Sequence, residues 1–343
     1  MPTKVLELKE AVGRRLDHDL TEIRPGEFKG AAFKRGHVVC DEDLCRLQKM
    51  GKNHIYVLEL AESELHEDQA ASMLAQALAG PGVVWEDAPS EGKISLHAAH
   101  DGLLRVDSAA LAAFNLIDEV MCATLHDHTL VRQGEMVAAT RAIPLVMQRA
   151  PVERAVAIAS AAGGLVSVLR LRRAQVGLVI TGDEVATGLI QDKFEPVLRR
   201  KVRGLGSEVR GVAFARDDAG QIAAAIRGHL QAGCDLILLT GGMSVDPDDQ
   251  TRSGVAQAGA EEMYYGSAVL PGAMFLAAYL GEVPLLGVPA CALYHRTTVL
   301  DLVLPRVLAG LKITKTELAL MGHGGLCRNC EECIYPDCAF GKA

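Results

Sequence analysis

Aromatic side chains are scarce in this chain, 4% of 343 residues, with a single Trp. Basic charge is scarce as well: 35 Lys and Arg stand against 43 Asp and Glu, a net charge of −8. No stretch interleaves Lys and Arg with aromatics. A surface that tracks phosphates and stacks bases needs both, so a nucleic-acid partner is excluded from the reading. The modest cluster Arg199-Arg200-Lys201 with Arg203 falls on a predicted helix, where a solvated face is the ordinary role. No segment reaches the roughly 18 uninterrupted apolar residues of a membrane span. The opening residues, Met1-Pro2-Thr3-Lys4-Val5, lack an apolar signal core. The expectation is a soluble, cytoplasmic protein with no membrane partner. Internal repeats, low-complexity linkers and Ser-His-Asp or Cys-His arrangements are also missing.

What is present is a globular composition, 49% hydrophobic and 23% charged, rich in Ala, Gly, Leu and Val. Small and aliphatic residues suit helices packed closely on a sheet. The length allows two or three domains. Residues 1–85 mix short helical and strand patterns. Glu10 to Leu20 reads as an amphipathic helix start, Arg24-Pro25-Gly26-Glu27 as a turn, and Glu42 to Met50 as a short helix. Ile55 to Leu58 reads as a strand, and Glu67 to Ala79 as a helix stopped by Gly80-Pro81-Gly82. Residues 86–172 form a small β-rich module and connecting helix. Its short apolar runs are Lys93 to Ala98, Gly102 to Val106, Glu119 to Thr124 and Met136 to Thr140.

Residues 173–312 alternate strand and helix. Predicted strands are Gln175 to Thr181, Glu208 to Phe214, Leu236 to Thr240 and Val283 to Val288. Predicted helices are Lys193 to Gly204, Asp218 to Ala232, Gln250 to Gln257 and Ala292 to Leu308. Asp218 and Gln221 have capping-box spacing. Parallel strands need helical crossovers, so this order predicts an α/β fold with a doubly wound, mostly parallel sheet. Residues 313–343 form a Cys-rich tail.

Two glycine turns close apolar strands in that region: Thr181-Gly182-Asp183-Glu184 and Thr240-Gly241-Gly242-Met243-Ser244. Glycine pairs leave backbone N–H groups bare at the carboxyl end of a sheet, where phosphate-bearing ligands bind. Asp183, Asp246, Asp248 and Asp249 would repel a phosphate unless a divalent cation stood between them, so Mg²⁺ is the expected bridge. The plainer alternatives are a ligand-free turn, acids that complement a helix dipole, and simple helix caps.

The ordered set Thr181-Gly182-Asp183-Glu184, Ile190-Gln191-Asp192, Thr240-Gly241-Gly242-Met243-Ser244-Val245 and Asp249-Gln250-Thr251 resembles the molybdopterin-binding domain of molybdenum cofactor biosynthesis proteins. Leu270-Pro271-Gly272-Ala273 and Leu286-Gly287-Val288-Pro289-Ala290 extend the match, which covers about residues 174–310. Within that family the chain is similar to the molybdopterin molybdotransferases, including the second enzymatic domain of gephyrin. Glu10-Ala11-Val12-Gly13-Arg14, Phe28 to Phe33 and Arg35-Gly36 resemble their N-terminal part more weakly. The resemblance implies binding of molybdopterin or its adenylate and insertion of molybdate, or tungstate, into the dithiolene. It implies catalytic roles for Asp183, Asp192 and Asp249. It implies cofactor binding by Thr181, Gly182, Glu184, Thr240, Gly241, Gly242, Ser244, Pro271, Gly272 and Pro289. Homo-oligomers and a molybdoenzyme that receives the product are further implications.

The chain departs from the family at three places. Leu270-Pro271-Gly272-Ala273 lacks the lysines that usually flank the Pro-Gly turn. Pro289-Ala290-Cys291-Ala292 stands where the family has Pro-Gly-Asn-Pro, and Lys193-Phe194 follows Asp192 in place of Asn. The departures favour binding over turnover, which leaves a non-catalytic carrier or sensor as an alternative. A nucleotide-pyrophosphate hydrolase is another, because the same domain type occurs in competence-damage-inducible proteins.

Nine cysteines are distributed unevenly. Cys327, Cys330, Cys333 and Cys338 have the spacing C-x₂-C-x₂-C-x₄-C, which can wrap one Zn²⁺ or an iron–sulfur cluster; a reduced, flexible end is the alternative. Cys40 and Cys45 read as packing residues, and Cys291 as a small buried filler. His97, His100, His126 and His128 have irregular spacing and read as surface or core-edge residues.

Overall fold

A computed structural model describes residues 3–24, 26–58, 60–244 and 246–342, with the side chains of residues 3, 4, 57 and 58 excepted. Pro25 of the predicted turn, Val245 of the second glycine motif and the Val57 and Leu58 side chains of the predicted strand lie outside the described residues. The chain divides into two compact units. One comprises residues 1–99, 105–125 and 133–168, the other 100–104, 126–132 and 169–343.

In the first unit, Leu8, Ala11, Leu16, Leu20, Phe33, Val39, Leu47 and Ile55 form a small core. The helix expected from Glu10 to Leu20 is absent there. Its apolar positions are buried, but by nonlocal pairing: the amides of Gly13 and Leu16 donate to the carbonyls of Val39 and His37. Gly13 at φ +81° turns the chain out of any helical path. The predicted helices at 42–50 and 67–79 form as Asp41–Lys49 and Glu67–Leu78. Four antiparallel strands, Val83–Trp85, Lys93–Ala98, Met136–Ala142 and Val120–Thr124, lie side by side in that order. A helix at Ser108–Asn115 interrupts the expected run of strands; Asp107 caps it by accepting from the Ala110 amide at 2.9 Å. Cys40 and Cys45 are exposed, which corrects the expectation that they pack in a core.

The second unit carries a six-stranded sheet. Its strands are β1 (Gln175–Thr181), β2 (Glu208–Ala215), β3 (Leu236–Thr240), β4 (Glu262–Tyr265), β5 (Leu276–Leu280) and β6 (Val283–Val288), in the spatial order β2-β1-β3-β6-β5-β4. The first four in that order run parallel, while β5 and β4 pair antiparallel at one edge. That antiparallel edge is invisible to the sequence pattern because Glu262–Tyr265 is too short to show a clear period. The helices are α1 (Asp183–Ala186), α2 (Phe194–Gly204), α3 (Ala219–Gln231), α4 (Thr251–Ala258), α5 (Val299–Leu308) and α6 (Lys315–Leu320).

Both faces of the sheet are covered, as a parallel sheet requires. Val176, Leu178, Leu236 and Leu238 pack with Leu198 and Val202 of α2 and the apolar side of α5. Their neighbours Val179, Ile237 and Leu239 face the other way, onto Ile222 and Ile226 of α3 and Val255 of α4. The alternation is the period of two that doubles back at every strand residue. The long helix expected from Ala292 to Leu308 splits. A 3₁₀ turn covers Ala290–Leu293, and α5 starts afresh at Val299 behind Thr298 and Asp301, which form a reciprocal cap.

Candidate functional site

Because β1, β2, β3 and β6 are parallel, Thr181, Ala215, Thr240 and Val288 end on one edge of the sheet. Buried threonines tie the two glycine turns together there. The Thr181 hydroxyl donates to the Thr240 carbonyl at 2.8 Å and lies 3.2 Å from the Thr251 hydroxyl. Thr251 donates in turn to the Gly241 carbonyl at 2.9 Å. Gly241 has φ +81°, and a Cβ on it would stand 2.5 Å from the Thr181 carbonyl oxygen. Only glycine fits, so the chain crosses this edge as bare backbone.

Gly241, Gly242, Met243 and Ser244 form one wall of a cavity of ≈ 370 Å³. Leu270 to Met274 and Val288 to Cys291 form the others. The structure thus joins Gly241, Gly242, Ser244, Pro271, Gly272 and Pro289, which the sequence separates by almost fifty positions. Gly272 is held at φ +136°, with Val299 so close that a Cβ would meet its Cγ1 at 2.5 Å. Thr181, Gly182, Glu184 and Thr240 are not in the lining; Thr181 and Thr240 support it from behind. Cys291, expected as a buried filler, is only partly buried and contributes to the wall. Among the described residues, no Lys or Arg belongs to that lining.

Of the predicted acids, Asp183, Glu184 and Asp249 gather around Asp217 beside the Gly pair rather than in the cavity wall, whereas Asp246 and Asp248 are exposed in a turn of their own. Asp217, which sequence reasoning missed, is the centre of the group. Its Oδ2 accepts from the Asp183 amide at 3.3 Å, and its Oδ1 would lie 3.1 Å from a Cβ on Gly242. Burial raises the Asp217 pKa from the ordinary carboxylate range; the Asp183 amide opposes this, and the charges of Asp183, Glu184 and Asp249 add to the rise. Oδ1 of Asp217 and Oδ2 of Asp249 are buried with no hydrogen-bond partner among the described residues. The available signal was position: Arg216-Asp217-Asp218 follows β2 at the same sheet edge as the other acids. Asp192 is placed differently. Its two oxygens accept from the amides of Phe194 and Glu195 at 2.9 and 2.7 Å, which starts α2.

The four tail cysteines line a second cavity of ≈ 540 Å³, together with Tyr294 to Thr297. All four are free thiols. The Thr297 hydroxyl and the Tyr335 amide hold the Cys333 thiol below its ordinary pKa. Among the described residues, no three Cys, His, Asp or Glu side chains converge into a group that could hold a metal ion.

Comparison with known proteins adds to this geometry. Residues 177–309 match a family described as a probable molybdopterin binding domain. That match spans most of the α/β domain and less than half of the chain. Residues 5–59 match a domain of unknown function. A CinA-like protein of Mycobacterium tuberculosis is 37% identical over 84 residues, 24% of this chain and 20% of its own length. One of Mycolicibacterium vanbaalenii is 34% identical over 96 residues, 28% of this chain and 23% of its own. The chain therefore spans about a fifth of the length of the curated relatives it matches. Two solved structures are also similar. The molybdopterin biosynthesis enzyme MoaB of Thermus thermophilus has TM-score 0.35 and 23% identity, covering 41% of this chain and 99% of that one. The molybdopterin biosynthesis MoeA protein of Pyrococcus horikoshii has TM-score 0.33 and 17% identity, covering 72% of this chain and 79% of that one. No helix among the described residues is long and apolar enough to cross a membrane.

Proposed function

We propose that the molybdopterin-binding domain of this chain holds molybdopterin or its adenylate at the cavity between Gly241, Gly272 and Pro289, as a step in molybdenum cofactor biosynthesis. The observation that carries this reading is the bare-backbone turn Gly241-Gly242 opening onto a cavity at the carboxyl edge of a parallel sheet. A lining without Lys or Arg supplies no side-chain cation for a phosphate, so backbone amides and a bridging cation must do that work.

The donor set fits Mg²⁺. A hard cation takes carboxylate oxygens, and Asp217 Oδ1 and Asp249 Oδ2 have no hydrogen-bond partner among the described residues. Asp217 and Asp249 would hold it, with Asp183 and Glu184 close by, and its chemistry there is neutralisation of phosphate charge. Asp183 and Asp249 keep their proposed catalytic roles. Asp192 contributes by fixing the start of α2. In molybdate insertion the dithiolene sulfurs are the nucleophiles, so the protein need only position the oxyanion and balance charge.

Carriage of the cofactor without turnover is the form of the reading that the cation-poor lining favours. Hydrolysis of a nucleotide pyrophosphate is a second reading, supported by the match to CinA-like proteins and by the acid cluster. Calorimetry with molybdopterin and Mg²⁺ tests the main proposal. Saturable binding is expected, weakened about tenfold or more by Gly241→Ala and by Asp249→Asn, and an absence of binding would sink it. Molybdate insertion and release of mononucleotides from a dinucleotide substrate would separate the readings. The tail cysteines Cys327, Cys330, Cys333 and Cys338 are proposed ligands of Zn²⁺ or an iron–sulfur cluster. What supports it is donor chemistry, four free thiols around one cavity, and a metal would have to draw together thiols that do not converge in this structure.

A further inference from the structure

The four-cysteine loop and the candidate ligand cavity are linked by two segments of the chain. The loop is closed at its neck, where the Gly341 amide donates to the Gly324 carbonyl at 2.9 Å. A Cβ on Gly324 would stand 2.5 Å from the Lys342 carbonyl, so the two ends of the loop are in contact. Phe340 is buried in the same apolar cluster as Leu302 of α5, Gly341 lies against Leu302, and the Tyr335 hydroxyl donates to the Asp301 carbonyl at 3.2 Å. Between these anchors residues 325–339 form neither helix nor named strand, an irregular segment that thiolate–metal bonds would order.

Two connections run from this loop to the ligand cavity. Leu270 donates its amide to the Gly325 carbonyl and accepts from the Cys327 amide, both at 2.8 Å. Its next neighbours, Pro271 and Gly272, are ligand-cavity wall. Gly272 has no slack, because Val299 fills the space beside it, and the Val299 amide donates to the Pro271 carbonyl at 3.2 Å. The second connection is the segment after β6. Pro289 to Cys291 line the ligand cavity, while Tyr294 to Thr297 line the cysteine cavity. The His295 amide donates to the Cys291 carbonyl at 2.9 Å, and the Thr297 hydroxyl lies 3.3 Å from Cys333 Sγ.

We infer that a thiophilic metal held by Cys327, Cys330, Cys333 and Cys338 controls the ligand cavity through these two connections. Drawing four thiolates onto one centre moves or stiffens Cys327, whose amide is bonded to Leu270 of the cavity wall, and Thr297, which touches Cys333 and lies a few residues along the chain from the wall segment 289–291. The inference rests on the cavity being the ligand site. Linkage makes the effect reciprocal: metal tightens ligand by the factor that ligand tightens metal, and coupling of this kind usually amounts to about 5- to 150-fold.

Two measurements on the full chain judge it. The first is hydrogen exchange with and without metal, using Zn²⁺ in one arm and anaerobic iron and sulfide in the other. A visible absorption band identifies a cluster. Stoichiometric Zn²⁺ without such a band identifies a tetrahedral ion. The expected result is slowed exchange at the amides of Leu270, Gly272 and Ala273 and at Cys291 to Thr297. Metal uptake with no change there overturns the coupling, and no uptake in either arm overturns the site. The second is the affinity of a pterin phosphate, read by its own fluorescence, expected to fall about tenfold on metal removal. A pterin phosphate that fails to bind in both states refutes the ligand reading, while the exchange result still decides the coupling. Cys330→Ser should abolish uptake. Thr297→Val should keep metal uptake and shrink the exchange response at 291–297, and an undiminished response would rule out that second connection.

Discussion

At the residue scale, the site depends on what certain positions leave out. Gly241 and Gly272 have no side chain because a carbonyl oxygen and Val299 already occupy that space. Asp217 and Asp249 each carry a buried oxygen with no hydrogen-bond partner among the described residues, a cost that a bound cation would remove. A different buried acid lies in the first unit. Glu67 is 8% exposed, and burial, then the charge of Asp68, raises its pKa from 4.5 to about 7, with Arg141 pulling against them. Its folded pKa exceeds its unfolded one, so the folded state keeps a proton that the unfolded chain has released. Stability from this group is complete below the unfolded value and is lost as pH rises through about 7. Glu67→Gln cannot ionise. Thermal melts should show a variant less sensitive to pH across that window and more stable than wild type at pH 8, by on the order of 1 kcal/mol. Parallel pH curves for the two proteins would show that Glu67 does not titrate this way.

At the element scale, the start of α5 fixes much of the site. Thr298 accepts from the Leu300 amide at 3.3 Å, and Asp301 accepts from the Thr298 amide at 2.7 Å. Asp301 also receives the Lys201 ammonium at 2.5 Å, in a largely buried pair that joins α2 to α5. Thr298→Ala removes one cap and should cost about 1 kcal/mol by urea denaturation. Asp301→Ala strips the cap and leaves the Lys201 ammonium without its carboxylate, held only by the Arg296 carbonyl at 2.8 Å, and a larger loss, about 3 kcal/mol, is expected. Equal costs for the two would mean that the Lys201 pair contributes nothing. The sequence suggested a continuous helix from Ala292 because Ala, Leu and Val dominate it. Thr298-x-x-Asp301 was a legible start signal within that run. What hid the interruption is that Tyr294 to Thr297 have no local reason to leave a helix; they form the wall of the cysteine cavity.

At the scale of the whole molecule, the α/β unit has an extensive apolar core of its own, so a ligand bound to it should stabilise it. Mg²⁺ at about a hundred times its Kd should add about 2.7 kcal/mol to the α/β unit. Calorimetry should show one transition moving upward, and Asp249→Asn should cancel the movement. A shift that survives Asp249→Asn would place the ion elsewhere.

The strands Gln175–Thr181, Leu236–Thr240 and Val283–Val288 were legible to the residue, because fully buried parallel strands are unbroken apolar runs between glycines and charges. The glycine turns and the acids after them were legible for the same local reason. The sequence alone therefore determined an α/β domain with a bare-backbone edge, and four cysteines close together in the tail. Tertiary structure decided which of these meet. It brought Gly241 to Pro271 and Pro289, put Asp217 among the other acids, turned Asp192 to a helix start, and laid the cysteine loop against Leu270. Such juxtapositions arise from strand order and from packing between residues far apart in the chain, and local propensity carries no record of either.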